Sequence, residues 1–272
     1  MSLSAFQREL QRDPLDLART ALLFANGIAF PNLDIEACLN SMGQIAERAK
    51  ASRYLDCEWQ DRPAQLARYL YEEERFQGNS AAYHEPENSF LNVVLTRRLG
   101  IPISLSAVYL AIAKTLNLDA FGIGLPGHFI VGVRQELKTV YIDPFYGREL
   151  TQTDCSHLVR ATTGYRGDFR LAWLQPTSDH NIVLRMLNNL RLIYMHQQRW
   201  QAAKTVLAHL EVIRPNFPDI QRDRGLIAFA AKDYATASQH LDRYLGQNPN
   251  ASDAPMLKKT VGSAIAKWAK RN

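Results

Sequence analysis

The 272-residue sequence predicts an α+β domain, mostly helical with a small antiparallel sheet, followed by an all-α domain of helical repeats. Three observations support this fold class. Apolar residues recur at helical spacing through the first 116 residues, two short runs between 128 and 143 alternate with a period of two, and the chain beyond residue 177 repeats every 34 residues. We place the domain boundary at residue 176, giving domains 1–176 and 177–272.

Three amphipathic helices are predicted at the start of the chain: Asp16–Asn26, Asp34–Ser52 and Arg62–Phe76. Their apolar residues recur at steps of three and four, so each helix should bury one face in a core. Pro31-Asn32-Leu33 indicates a turn, after which Asp34 is expected to cap the second helix. Nothing in these helices points to chemistry.

The next two predicted helices surround Gly100. Asn88–Arg98 has an amphipathic pattern, and Pro102 opens a helix that runs to about Leu116, since proline is tolerated in a first turn. This second helix is apolar on nearly every side, which is typical of a buried central helix.

Two strand-like runs follow, His128–Arg134 and Thr139–Asp143, and the turn between them indicates a β-hairpin. An even-numbered loop would place His128 and Asp143 on the same face. Their companions there include Arg134, Thr139 and Tyr141, so we expect a face lined by polar groups. The stretch Phe145–Pro176 shows no clear period and is predicted to be irregular.

An internal repeat begins beyond Thr177. Five pairs of like residues are separated by 34 positions: Leu192/Leu226, Trp200/Tyr234, Ala203/Ala237, Leu207/Leu241 and Pro215/Pro249. Thirty-four residues is the tetratricopeptide period, in which each helix pair needs a neighbour to bury its apolar side. We therefore expect two such repeats, with a final helix at Ala254–Trp268 as a cap.

The segments GIPISLSAVYLAIAKTLNL, GLPGHFIV and VYIDPFYG resemble the transglutaminase-like superfamily, and most closely the SirB-type transglutaminase-like/tetratricopeptide-repeat proteins of bacteria. The resemblance covers nearly the whole chain, including the early AFPNLD segment and the C-terminal repeats. It implies a transglutaminase/papain-like domain whose histidine and aspartate positions correspond to His128 and Asp143. In active relatives a cysteine at the start of the buried helix completes a triad.

The sequence departs from that pattern at the nucleophile. No cysteine lies between Cys57 and Cys155, and the first turn of the buried helix offers only Ser104 and Ser106. A hydroxyl is far less acidic than a thiol, so oxygen cannot simply replace the thiolate of a thiolate–imidazolium pair. Ser104, His128 and Asp143 therefore mark a degenerate, triad-like site. A simpler alternative makes His128 a hydrogen-bonded structural histidine and Asp143 a cap for the turn after its strand.

Other function classes find little support. The formal charge of +5 is scattered, with no basic stripe and no helix-turn-helix signature, so we expect no nucleic-acid partner. The N-terminus has no signal-peptide pattern and no apolar run approaches a membrane span, so we expect a cytoplasmic protein without a membrane partner. The histidines and cysteines show no ligand spacing and no phosphate loop is present, so neither a metal nor a cofactor is expected.

The leading hypothesis is a non-catalytic protein that binds a protein or peptide partner, with a possible regulatory association implied by the family resemblance. A repeat domain commonly recognises polypeptides, and a former acyl-enzyme groove is shaped to hold an extended chain. The alternative is a serine-dependent hydrolase or acyltransferase that uses Ser104 or Ser106 with His128 and Asp143.

Overall fold

The computed structural model describes residues 2–136 and 138–269. The described chain divides into two compact units, with the division between Leu190 and Arg191 inside a long helix. The boundary expected at residue 176 stays a prediction.

The first unit is an α+β domain, as the sequence predicts. Its helices are α1 Ser2–Glu9, α2 Leu17–Ile28, α3 Ile35–Ala51, α4 Arg62–Glu72, α5 Leu91–Arg97, α6 Pro102–Thr115, α7 Gln152–Thr163 and the first part of α8 Asp179–His196. Its strands are β1 Gln77–Gly78, β2 Leu99–Gly100, β3 Ala120–Ile123, β4 Ile130–Arg134, β5 Thr139–Asp143, β6 Arg148–Leu150 and β7 Pro176–Thr177.

Five of these strands form one antiparallel sheet in the order β6-β5-β4-β3-β7, and β1 pairs in parallel with β2. The predicted hairpin is the centre of the larger sheet, with Val131 opposite Ile142 and Arg134 opposite Thr139. Its second strand has the predicted bounds. Its first strand begins at Ile130, so His128 lies in the loop that enters β4.

Helix α6 is the central helix of this unit. Pro102 occupies its first turn, and the helix packs against α2, α3, α4, α5 and the strands β3 and β4. Tyr109 is fully buried, and its hydroxyl donates to the Pro63 carbonyl at 2.8 Å. The predicted cap of α3 is confirmed, because the Asp34 side chain accepts a hydrogen bond from the Ala37 N–H, and Asp16 caps α2 in the same way through the Arg19 N–H.

The stretch Phe145–Pro176 is more regular than the sequence analysis predicts, because it contains β6 and α7. Thr151 and Asp154 form a reciprocal capping box at the start of α7, and Gly164 ends it in the left-handed conformation. Residues of this segment build an apolar cluster with the sheet: Ile123, Leu125, Ile130, Leu150, Cys155, Val159 and Leu174. The sheet face that carries Ile130 and Tyr141 is therefore covered by apolar side chains, and the expectation of a polar-lined face is wrong.

The second unit is all-helical and comprises the end of α8 with α9 Trp200–Ile213, α10 Pro218–Ala230, α11 Tyr234–Gln247 and α12 Ala254–Ala269. The 34-residue pairs occupy equivalent places: Trp200 and Tyr234 open α9 and α11, whereas Ala203, Ala237, Leu207 and Leu241 are buried. The final helix contributes Leu257 and Val261 to a cluster with Leu241 and Tyr244, as expected of a cap.

A buried ionic network lies within the second unit. Arg191 contacts Asp223 at 2.6 Å and Asp219 at 3.0 Å, and Arg222 contacts both aspartates and Asp253. Burial lowers the pKa of Arg222, but the charges of Asp223 and Asp219 outweigh burial and raise it above its usual value. The network therefore links α8, α10 and the residue just before α12 by charge-assisted hydrogen bonds.

Candidate functional site

The structure brings His128 and Asp143 together at one end of the β4–β5 hairpin. Because Val131 pairs with Ile142, the loop before β4 lies beside the end of β5. The Nε2 atom of His128 is 3.2 Å from Oδ1 and 3.1 Å from Oδ2 of Asp143. Only 7% of His128 is exposed and Asp143 is fully buried. The carboxylate thus orients the ring by accepting a hydrogen bond from the Nε2–H group.

The residue two positions after Asp143 completes this arrangement. The Phe145 N–H donates to Asp143 Oδ1 at 3.0 Å, and the Phe145 ring stands edge-on to the His128 ring with 6.0 Å between centroids. The Phe145 carbonyl accepts from Gly78 N at 3.1 Å. A Cβ on Gly78 would overlap the Phe145 ring, so only glycine permits this close approach. Phe145 is therefore held between β1 and the His128–Asp143 pair.

Neither candidate serine forms a hydrogen bond with His128. Ser104 Oγ accepts from Ile101 N at 3.1 Å and donates to the Asn88 carbonyl at 2.6 Å, so it closes the first turn of α6. The Ser106 hydroxyl is buried and has no hydrogen-bond partner among the described residues. The three predicted positions, Ser104, His128 and Asp143, thus form a histidine–aspartate pair and a separate capping serine.

The second ring nitrogen of His128 is available for a ligand. In the described part of the chain Nδ1 makes no hydrogen bond, whereas Nε2 is engaged by Asp143. In a cysteine or serine hydrolase, a nucleophile would occupy the position next to the nitrogen that does not face the carboxylate. Here that nitrogen has neither a thiol nor a hydroxyl as its partner.

The three cysteines do not supply the missing thiolate. Burial raises the pKa of Cys155 to about 12, and the negative charges of Asp154 and Asp143 add to this effect. Burial likewise raises the pKa of Cys38 and of Cys57. Raised values favour the neutral thiol, which is the opposite of an activated nucleophile.

Residues from distant parts of the sequence surround the His128–Asp143 pair. Tyr83 lies 6.4 Å from Phe145 and Tyr146 lies 5.0 Å from it, measured between ring centroids, and both tyrosines are substantially exposed. Arg185, from α8, donates to the His128 carbonyl at 3.2 Å. Arg185 is not predictable from the sequence, because it is 57 residues from His128 along the chain and no local pattern marks it.

Among the described residues, no group of three or more His, Cys, Asp or Glu side chains is placed to hold a metal ion. Within the described helices, none combines the length and apolar character that crossing a membrane requires.

Comparison with known families and proteins gives matches over most of the chain. The family model of the transglutaminase-like superfamily matches residues 36–188, and a tetratricopeptide-repeat model matches residues 190–261. The chain is 32% identical to a UPF0162 protein of Xylella fastidiosa (strain 9a5c) over 250 residues, which cover 90% of this chain and 89% of that protein.

More distant relatives extend this pattern. A UPF0162 protein of Vibrio cholerae is 24% identical over 252 residues, covering 92% of this chain and 93% of that protein. F-box only protein 21 of Homo sapiens is 32% identical over 120 residues, which are 40% of this chain and 19% of that protein. The similarity to these two bacterial relatives thus extends over most of each chain, whereas the similarity to the human protein is confined to one part of each chain.

Proposed function

The chain belongs to the transglutaminase-like superfamily and to the UPF0162 proteins within it, and from this we propose that it is a non-catalytic member that binds a polypeptide partner. One observation carries the proposal. The His128–Asp143 pair of an acyl-transfer site is assembled, but no thiol or hydroxyl of the described residues is hydrogen-bonded to His128. An acyl-enzyme forms on a nucleophile that the histidine deprotonates, so a histidine without such a neighbour does not support this chemistry.

The remaining features favour binding. Tyr83 and Tyr146 present exposed aromatic surface beside the pair, and exposed tyrosines are frequent in protein interfaces. The second unit adds tetratricopeptide repeats, whose helices commonly form a recognition surface for polypeptides. We place this activity in the bacterial cytoplasm, in a regulatory role, with a protein or peptide as the partner rather than a nucleic acid or a membrane.

Site-specific photocrosslinking tests the proposal. A photoreactive phenylalanine derivative replaces Tyr146, which is 50% exposed beside the pair, and in a matched variant it replaces Trp59, which is 48% exposed in the same unit. After irradiation in cells, we expect one polypeptide to be attached at position 146 and absent at position 59. That polypeptide, purified, should bind the unmodified protein. The proposal fails if position 146 captures nothing, or the same set of proteins as position 59.

The alternative of a serine hydrolase or acyltransferase is favoured by one observation, the unpartnered Ser106 hydroxyl in the first turn of α6. Ser104 is less suited, because its oxygen is already committed to Ile101 and Asn88. A fluorophosphonate probe separates the two proposals. Labelling that disappears in both Ser106→Ala and His128→Ala would establish the enzyme, whereas we expect no labelling of the folded protein.

A further inference from the structure

Arg185 is a half-buried cation without a counter-charge. Its guanidinium has five N–H donors, and the hydrogen bond to the His128 carbonyl uses one of them. The group also lies over the Phe129 ring, 5.3 Å from its centroid. Arg185 forms no ion pair with any described carboxylate. Burial lowers its pKa, because the charged form loses hydration that no neighbouring anion replaces.

The position of this cation links it to the His128–Asp143 pair. Arg185 contacts the loop that carries His128, and Nη1 lies against Gly124 at the start of the same loop. Its charge also acts on Tyr83: partial burial raises the pKa of that phenol, and Arg185 opposes the increase. Tyr83 in turn packs near Phe145, which stands edge-on to His128. The cation, the aromatic rings and the imidazole therefore form one continuous cluster.

The charges of the cluster favour an anion of small size. Asp143 is already engaged by His128 and by the Phe145 N–H, so it does not neutralise Arg185. Half-buried charges are normally paired, and a guanidinium presents parallel N–H groups that match the two oxygens of a carboxylate. One cation balances one carboxylate, whereas a phosphate dianion would need more positive charge than the cluster holds.

We propose that Arg185 forms a recognition site for a peptide carboxylate beside His128, and that Tyr83 and Tyr146 contact an apolar or aromatic side chain next to it. The inference rests on the proposed polypeptide-binding function and assigns the chemistry that the partner must present. The carboxylate is either the C-terminus of a chain or an acidic side chain.

The test uses short peptide mimics and the ring resonances of His128, observed by NMR on the full-length protein and assigned with His128→Asn. N-acetylphenylalanine carries a terminal carboxylate, N-acetylphenylalaninamide carries none, and N-acetylglutamic acid α-amide carries only the side-chain carboxylate. We expect saturable shifts with N-acetylphenylalanine and at least tenfold weaker binding of N-acetylphenylalaninamide. The relative affinities of the two carboxylates identify which source is preferred.

Variants assign the effect to Arg185. Arg185→Gln should weaken binding of the carboxylate at least tenfold, and Arg185→Lys should weaken it less, because it keeps the charge but loses the forked geometry. Arg68→Gln is the matched control, since Arg68 is exposed and paired with Glu72 on α4, and it should bind like the unmodified protein. If Arg185→Gln does not fold, Arg185→Lys and the comparison of acid with amide still decide the question.

Equal binding of acid and amide, no saturable shift, or unchanged binding by Arg185→Gln would overturn the inference. These results are distinguishable from failure of the proposed function. If the crosslink at position 146 persists at full yield in Arg185→Gln, the carboxylate site is wrong and polypeptide binding stands. If the unmodified protein gives no crosslink, the proposed function fails whatever the mimics do.

Discussion

Ser104 and Ser106 lie two residues apart in the first turn of α6, and both are fully buried. Their hydroxyls nevertheless have different roles. Ser104 satisfies the Ile101 N–H and the Asn88 carbonyl, both of which would otherwise be buried without partners. Ser106 satisfies no group in the described residues. The serine hydroxyl thus makes structural hydrogen bonds at position 104 and makes none with the described residues at position 106.

We expect Ser104→Ala to lower the free energy of unfolding by about 1–3 kcal/mol, because it leaves a buried donor and a buried acceptor unpaired. Ser106→Ala removes a buried hydroxyl that has no partner, so it should change stability by less than about 0.5 kcal/mol or increase it. Urea unfolding of the two variants measures both values. A larger loss for Ser106→Ala would show that its hydroxyl has a partner in solution.

The raised pKa of Cys155 leads to a second prediction, which concerns how fast its thiol is alkylated. With a value of about 12, the thiolate fraction at pH 8 is on the order of one in ten thousand. Iodoacetamide at pH 8 should therefore leave Cys155 unmodified in the folded protein and modify it fully in urea, as measured by peptide mass spectrometry. Exposed model thiols under the same conditions provide the reference rate. Rapid alkylation of folded Cys155 would overturn the conclusion that this chain lacks an activated thiol.

The helices and strands that the sequence predicts correctly are those marked by a capping residue, a first-turn proline or a clear apolar period. Asp34 caps α3, Pro102 opens α6, and the hairpin strand Thr139–Asp143 has its predicted bounds. Helix α7 is not among the predicted elements, because it buries only Cys155 and Val159 and so has almost no apolar period. Its capping box, formed by Thr151 and Asp154, and Gly164 at its end are nonetheless local sequence signals of a helix.

Some residues of the candidate site are predictable from the sequence and others are not. Strand pairing alone places His128 near Asp143, since the period of two and the short turn fix which residues are neighbours. Arg185 and Tyr83 were not predictable, because their positions depend on how α8 and the loop after β1 pack on the hairpin. The prediction of a polar face is wrong for a related reason. The sequence shows the alternation of side chains along the two strands, but it does not show that α7 packs on that face of the sheet.

Helix α7 provides a test at this scale. Hydrogen bonds from Thr151 lower the pKa of Asp154 below its usual 3.8. A lowered folded-state pKa gives stability that is present above pH 3.8 and is lost as the pH falls through the folded value. Asp154→Asn should thus be less stable than the unmodified protein at pH 7, with a difference that shrinks below about pH 4. Unfolding in urea at several pH values measures this.

The matched control for that series is Asp168→Asn, an exposed aspartate in the stretch after α7. Its stability at pH 7 should differ little from that of the unmodified protein, since the side chain is exposed. A constant deficit for Asp154→Asn from pH 7 to pH 3 would show that the ionised carboxylate does not stabilise the helix.

At the scale of the whole molecule, the chain joins two units with different kinds of core. The first surrounds a buried apolar helix, α6, with helices and a five-stranded sheet. The second stacks helices of similar sequence and adds the buried Arg191–Asp223 network. Stacked repeats depend on their neighbours, so the network should influence the stability of all helices in the second unit together.

We expect Asp223→Ala to destabilise the second unit by about 3–5 kcal/mol, because it leaves Arg191 buried with one of its two carboxylates removed. Glu211→Gln breaks the more exposed pair with Arg224 and should cost only about 0–1 kcal/mol. Hydrogen exchange followed by mass spectrometry measures both, and protection in α9–α12 should fall together in Asp223→Ala. Loss confined to one helix would argue against a cooperative network.

The contact between Gly78 and the Phe145 ring has an evolutionary consequence. The two positions are far apart in sequence but share one volume, which a Cβ at position 78 would already overfill. They should therefore covary among relatives: a chain with a larger residue at position 78 should carry a smaller one at position 145. Where such a compensated pair occurs, His128 would lose its aromatic neighbour, and that lineage should have diverged in what its site recognises.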